Sequence, residues 1–196
     1  MKKIMFNDKY GLTQAVLEGR MTQTRRIAYI SHYEFEVLNY KYPSAPLDLI
    51  KSIMSRSQYK VGEIVAIAQS YMVCGNFPVI EFDKDGYPIM PEKSGYFNKM
   101  YVKPELMPHK IRITKVRIER LQDIRNEDCL KEGIVVCEDC VKCYFLRKDD
   151  YDDCSLSYKS PREAYSVLID KIVKKGTWES NPYVFVYEFE LLTSKN

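Results

Sequence analysis

Two arginines and two threonines fall within five residues at Thr22-Gln23-Thr24-Arg25-Arg26, just past a helix-like run that ends at Gly19. A guanidinium is a rigid donor fork that matches phosphate or carboxylate, and a hydroxyl is a compact polar group, so an irregular segment here could hold an anion. The competing arrangement is a solvated loop with one Arg tied to a neighbouring carboxylate. Downstream, Lys99, Lys103, His109, Lys110, Arg112, Lys115, Arg117 and Arg120 are opposed only by Glu105 and Glu119. On an extended chain they form a cationic strip able to neutralise phosphates, or a sheet edge kept soluble by charge. Trp178, the single tryptophan, shortly precedes Asn181-Pro182. An indole on a loop can stack on a base and an amide can read its edge; equally, the ring can be core and Asn181 a turn former. Cys137-x-x-Cys140-x-x-Cys143, with Cys154 further on, has the thiolates for a tetrahedral zinc site but lacks paired CxxC knuckles. The favoured reading has no metal and no cofactor, with Cys74 and Cys129 as small buried hydrophobes.

The elements that position these groups follow from periodicity and caps. Asp8 to Glu18 predicts a helix with Leu12, Ala15 and Val16 inward and Gly19 at a left-handed C-cap. Pro46 to about Arg56, with Ser44 as a cap, predicts another helix inside a Tyr-rich insertion. Ile64 to Ser70 reads as a strand buried on both faces, and Gln69 near its end is counted among the ligand contacts. Gly75 to Pro108, rich in proline and glycine, should form loops with short extended pieces such as Phe77 to Phe82. A strand resumes at Lys110, and the shift of apolar parity near Thr114-Lys115 marks a bulge. Leu121 to Gly133 predicts a turn and a short helix. Ser160-Pro161-Arg162-Glu163 combines an N-cap, a first-turn proline and a capping-box Glu, opening a helix to about Val173 that buries Ala164, Tyr165, Leu168, Ile169 and Ile172. Tyr183 to Leu191 is a terminal strand with aromatics on one parity. This order lacks the regular alternation of a doubly wound fold and predicts a mixed α+β chain, with a small mixed or barrel-like sheet and flanking helices.

Length and composition agree with a single domain over 1–196, with insertions at about 28–58 and 135–160. The 30 Lys and Arg exceed the 27 Asp and Glu by three, which allows an anionic partner and excludes a polybasic tail. No apolar run reaches the roughly 18 residues of a membrane span, and the first residues turn polar too early for a signal peptide. The expectation is a cytoplasmic protein without a membrane partner.

Leu17-Glu18-Gly19-Arg20-Met21-Thr22-Gln23-Thr24-Arg25-Arg26, followed by Tyr59-Lys60-Val61-Gly62-Glu63-Ile64, resembles the opening of the ASCH domain family. Leu121-Gln122-Asp123-Ile124, Lys131-Glu132-Gly133-Ile134 and Gly176-Thr177-Trp178-Glu179-Ser180-Asn181-Pro182-Tyr183-Val184 are similar to blocks of its bacterial and phage-associated branch. The resemblance implies a PUA-like curved β-barrel sheet with flanking helices and two insertions, and a polar cleft that binds RNA or a modified nucleoside. Thr24, Arg25, Arg26 and Glu132 would form the floor of that cleft, with Gln69, Lys99, His109, Trp178 and Asn181 around it. Glu132 would accept from a base amino group or anchor an Arg. One branch of the family consists of small amidohydrolases that deacetylate acetylcytidine with a Lys, a Thr three residues later and a Glu from a later helix. Matched by motif, these positions are Met21, Thr24 and Glu132, so Thr24 and Glu132 are the catalytic candidates. The base is missing, since a thioether cannot activate a hydroxyl. Binding of RNA or a modified nucleoside is therefore the expected function. The rival classes are an amidohydrolase acting on an acylated or modified base and a protein-interaction module using the Tyr-rich insertion.

Overall fold

A strand with large apolar side chains on both parities, as from Tyr183 onward, must be covered on both faces. In the computed structural model of the chain, which describes residues 1–41, 47–75, 81–89, 95–137, 143–150 and 154–192, that strand lies inside a five-stranded sheet. In chain order the elements are β1 (Lys2–Ile4), α1 (Leu12–Leu17), β2 (Gln23–Ile27), α2 (His32–Glu36), α3 (Leu47–Ser55), β3 (Ile64–Ile67), α4 (Tyr71–Cys74), β4 (Glu81–Phe82), β5 (Pro88–Ile89), β6 (Lys110–Arg120), α5 (Asn126–Lys131), β7 (Val135–Val136), β8 (Tyr144–Phe145), α6 (Pro161–Ile172), α7 (Thr177–Ser180) and β9 (Tyr183–Leu192). The sheet order is β1-β3-β6-β9-β2, with β1 parallel to β3 and the other pairs antiparallel. β4 with β5 and β7 with β8 form small separate ladders.

The mixed α+β architecture is thus the one that the pattern predicts, and the strands starting at Ile64, Lys110 and Tyr183 share one sheet. β6 and β9 change register between Ile113 and Lys115, where the shift in apolar parity predicts the bulge. The core packs Ile4, Val65, Ile67, Ile111 and Val186 of the sheet with Leu12 and Ala15 of α1 and Ala164 and Leu168 of α6. Among the described residues the sheet is open, since β1 and β2 end the strand order. The outer side of β2 is occupied by the segment at the end of α5: Thr22 N–H donates to Lys131 O at 3.0 Å and Arg25 N–H to the Glu132 carboxylate at 3.2 Å.

Local details depart from the pattern for local reasons. The first helix is broken, because Gly11 takes a left-handed φ of 64° between a 3-10 turn at Asp8–Tyr10 and α1. β3 stops at Ile67, three residues short of the predicted end, because Ser70 leaves the strand to cap α4 through Val73 N–H. Ser160 Oγ accepts from Glu163 N–H at 3.1 Å, but the Glu163 carboxylate takes the Lys159 N–H, one residue before the cap. Ser44 and residues 77–80 lie outside the described residues. No described helix is long and apolar enough to cross a membrane.

Gly133 ends α5 with a φ of 100°, and a Cβ there would stand 2.7 Å from Leu12 Cδ2. The backbone angle favours glycine here, and any larger residue would also have to displace the end of the Leu12 side chain. The packing seats the preceding residue, Glu132, against β2.

Candidate functional site

Alternation along β2 sends Gln23 and Arg25 to one side and Thr24 and Arg26 to the other. On the first side stands Glu132, whose side chain is 5% exposed beside an Arg25 side chain with no exposure at all. Glu132 Oε1 accepts from Arg25 Nη1 at 2.6 Å and from Gln23 Nε2 at 3.4 Å, and Oε2 accepts from Arg25 N–H. The other arm of Arg25, Nη2, donates to Glu119, which also accepts from Arg117 Nε at 2.9 Å. Arg117 continues to Glu188 and, at 3.6 Å, to Asp128. A chain of alternating charge therefore runs from Glu132 through Arg25 and Glu119 to Arg117.

Burial pushes the Glu132 carboxyl above its ordinary range, against the pull of the Arg25 guanidinium and the Gln23 amide. For Arg25, burial acts to lower the pKa, but Glu132 and Glu119 outweigh it and the group is held charged. Close by, burial pushes the Cys129 thiol up to about 12, so it is inert at neutral pH.

On the second side, Thr24 Oγ1 accepts from Arg26 Nη1 at 2.5 Å. Arg26 also donates to the carbonyls of Arg25 and Met5, both at 2.9 Å, and lies over the Phe6 ring. Thr24, Arg25, Arg26 and Glu132 open on a cavity of about 840 Å³, within the size range of small-molecule sites. Lys99 reaches this cavity from a distant loop, paired with Asp8 at 2.7 Å and donating to Phe6 O and, at 3.3 Å, to Thr13 Oγ1. The apolar wall includes Phe6, Leu12, Met21, Leu168 and Ile169, and Tyr165 lines the cavity as well.

The cavity thus gathers Thr24, Arg25, Arg26, Lys99 and Glu132 of the sequence candidates, and its lining does not include the other four. Gln69 is buried elsewhere, its N–H donating to Met107 Sδ at 3.3 Å. His109 is exposed beside β3, where its carbonyl accepts from Ile67 N–H. Trp178 packs edge-on against Tyr165 with 6.3 Å between ring centroids and is overlain by Arg162 at 5.0 Å. Asn181, at φ 42°, accepts on Oδ1 from Gln122 N–H and fastens the entry of β9.

The segment Thr22–Arg26 is mostly β-strand rather than the irregular stretch expected, and its Arg25 is tied to carboxylates. Half of the basic strip, namely Lys99, Arg112, Arg117 and Arg120, is also engaged within the protein. Arg112 pairs with Glu190, and Arg120 lies over the Phe35 and Tyr183 rings while donating to Asn181 O. A second hollow of about 470 Å³ beside Arg117 is lined by charged residues alone, among them Lys115, Asp123, Arg125 and Glu188. Cys137 and Cys143 face each other at the end of the β7–β8 ladder, where Cys137 N–H donates to Cys143 O at 2.9 Å. Cys140 lies outside the described residues, and among those described no group of three or more His, Cys, Asp or Glu is placed to hold a metal ion.

Sequence reasoning passed over Tyr165, Gln23 and Glu119. Tyr165 counts in the pattern only as part of an apolar stripe; its hydroxyl, where a Leu or Phe would have served packing, was the available signal. Glu119 enters only as a charge opposing the strip.

No family model matches the chain, and no curated protein matches it. Among solved structures, it is similar to the crystal structure of protein EF3133 from Enterococcus faecalis V583, assigned to the family model DUF984, with a TM-score of 0.37 and 16% sequence identity. That match covers 92% of this chain, which spans 66% of the length of EF3133.

Proposed function

We propose that the cavity beside Glu132 binds a nucleoside, free or exposed in RNA, through a base edge that carries an amino or imino hydrogen. The observation that carries this reading is the set of partners of Glu132. A carboxylate has about four lone-pair positions. The three donors from Gln23 and Arg25 leave one position, on Oε2, and Glu132 is among the residues that line a cavity with an apolar wall. A buried acceptor of this kind rewards a ligand N–H and penalises its absence. Phosphate recognition has weaker support, because Arg25, Arg112 and Arg117 already hold carboxylates. The resemblance to the ASCH family, with its PUA-like barrel, supports the same class of ligand.

One observation favours the amidohydrolase as a second reading: Lys99 enters the cavity that Thr24 and Glu132 line, although Met21 stands at the family's Lys position. Lys99 is paired with Asp8, the hydroxyl of Thr24 accepts from Arg26, and no base accepts the Thr24 proton among the described residues.

Calorimetric titration with cytidine, N4-acetylcytidine, adenosine and uridine tests the first reading. Binding is expected, and Glu132→Gln should weaken it roughly tenfold or more, the value of a hydrogen bond to a charged group. If folded wild-type protein binds none of these nucleosides at millimolar concentration, the reading fails. Chromatography of the N4-acetylcytidine samples should show no cytidine released; turnover that disappears in Lys99→Met would move the assignment to the hydrolase.

A further inference from the structure

We infer that Tyr165 supplies the donor of this cavity, so that the ligand presents a hydrogen-bond acceptor immediately beside the N–H that Glu132 accepts. The inference rests on the nucleoside reading above and narrows it to a base edge with adjacent donor and acceptor.

Tyr165 is 2% exposed, and its hydroxyl is buried with no hydrogen-bond partner among the described residues. An unsatisfied polar group in a protein interior is disfavoured, whereas Phe would fill the same space without that cost. The hydroxyl therefore brings the isolated fold no benefit that the ring alone would not bring.

Its surroundings point to a ligand. Tyr165 lines the same cavity as Glu132, and the charges of Glu132 and Arg25 both act on its hydroxyl. The ring packs edge-on against Trp178, whose backbone N–H donates to Asp170 Oδ1 at 2.8 Å, while the backbone N–H of Gly176 donates to Asp170 Oδ2 at 2.9 Å. Tyr165 lies on α6 with Ala164 and Leu168, which are buried as well. Burial, reinforced by Glu132, keeps the phenol well above its ordinary pKa, so it stays protonated and available as a donor. A fixed donor beside a fixed acceptor reads the complementary pair on a base, such as ring N3 with the exocyclic amino group of cytosine or ring N1 with that of adenine.

The test compares cytidine with 3-deazacytidine, in which a C–H replaces the ring N3 acceptor, on wild-type protein and Tyr165→Phe. Wild type should prefer cytidine by roughly tenfold. Tyr165→Phe should bind the two ligands equally and melt at or above the wild-type temperature. The inference is overturned if wild type shows no preference, a result that needs no variant to fold. It is also overturned if Tyr165→Phe keeps the full preference, or melts lower with cytidine affinity unchanged, as a purely structural tyrosine would. If wild type binds neither nucleoside, nor any of the others titrated above, the underlying reading fails instead.

Discussion

Arg25 and Arg117 belong to the same chain of alternating charge but sit in opposite settings. The Arg25 side chain has no exposure and is shared between Glu132 and Glu119, whereas that of Arg117 is 26% exposed and borders the wholly charged hollow with Glu119, Glu188 and Asp128. The same guanidinium–carboxylate chemistry has a different consequence in each place. Around Arg117, water and salt screen both the attraction and its loss. Around Arg25 neither is at hand, so the loss of one partner strands the other charge in the interior.

The largest expected effect is that of Arg25→Ala. Leaving Glu132 unpaired in the interior should cost about 3–5 kcal/mol, which for a chain of this size lowers the melting temperature by roughly 10 °C or more in scanning calorimetry. The sequence offers the Arg25 segment either as an anion contact or as an Arg tied to a neighbouring carboxylate, and the enclosed pairs with Glu132 and Glu119 match the second arrangement. A drop below 3 °C would erase the contrast with Arg117.

Removing both charges at once should be milder than removing one. In Arg25→Met/Glu132→Leu the desolvation cost of both ions disappears, and the urea midpoint should recover at least half of what Arg25→Ala loses. No recovery would mean that the carboxylate matters chiefly as the acceptor for the edge N–H of β2.

Arg117→Ala should cost about 1 kcal/mol or less, the range of exposed pairs. In ~1 M NaCl, where the screening length is ~3 Å, its deficit should vanish while that of Arg25→Ala persists. Equal salt sensitivity in the two variants would contradict the difference in burial.

The smallest effect is expected on acidification. The N–H groups of Trp178 and Gly176 hold the Asp170 carboxylate below its ordinary range, opposite in direction to the raised Glu132. A depressed carboxylate contributes stability that is present above its unfolded pKa of about 3.9 and is lost as pH falls through the lower folded value. Asp170→Asn should therefore melt slightly below wild type at neutral pH, and the two should converge as pH falls through the lowered folded value. A gap that widens in acid would reverse the sign.

What could be read from the sequence was local. The Ser160 cap, the bulge beside Thr114, the stop at Gly133 and the terminal strand from Tyr183 each depend on backbone preferences and periods spanning a few residues. Where local signals competed, the pattern misplaced an end: the apolar run from Ile64 continues past Ile67, but Ser70 starts α4, and Gln69 is carried into a packing site beside Met107. The basic strip has the same history, since nothing within Lys99–Arg120 announces that Glu188 and Glu190 of β9 lie opposite its arginines.

By itself, then, the sequence determined the helix opened by Ser160 and the strands from Ile64, Lys110 and Tyr183, and, through its resemblance, pointed to Thr24, Arg25, Arg26 and Glu132, four residues that line one cavity. Only the tertiary structure decided that Arg25 is spent on Glu132 and Glu119, that Lys99 reaches the cavity, and that Tyr165, which lines it, has a buried hydroxyl without a hydrogen-bond partner among the described residues. The physical reason is distance along the chain. Dihedral preference and hydrophobic period act between near neighbours, whereas Arg25 meets Glu132 across 107 positions, through a sheet register and a glycine contact that no short window contains.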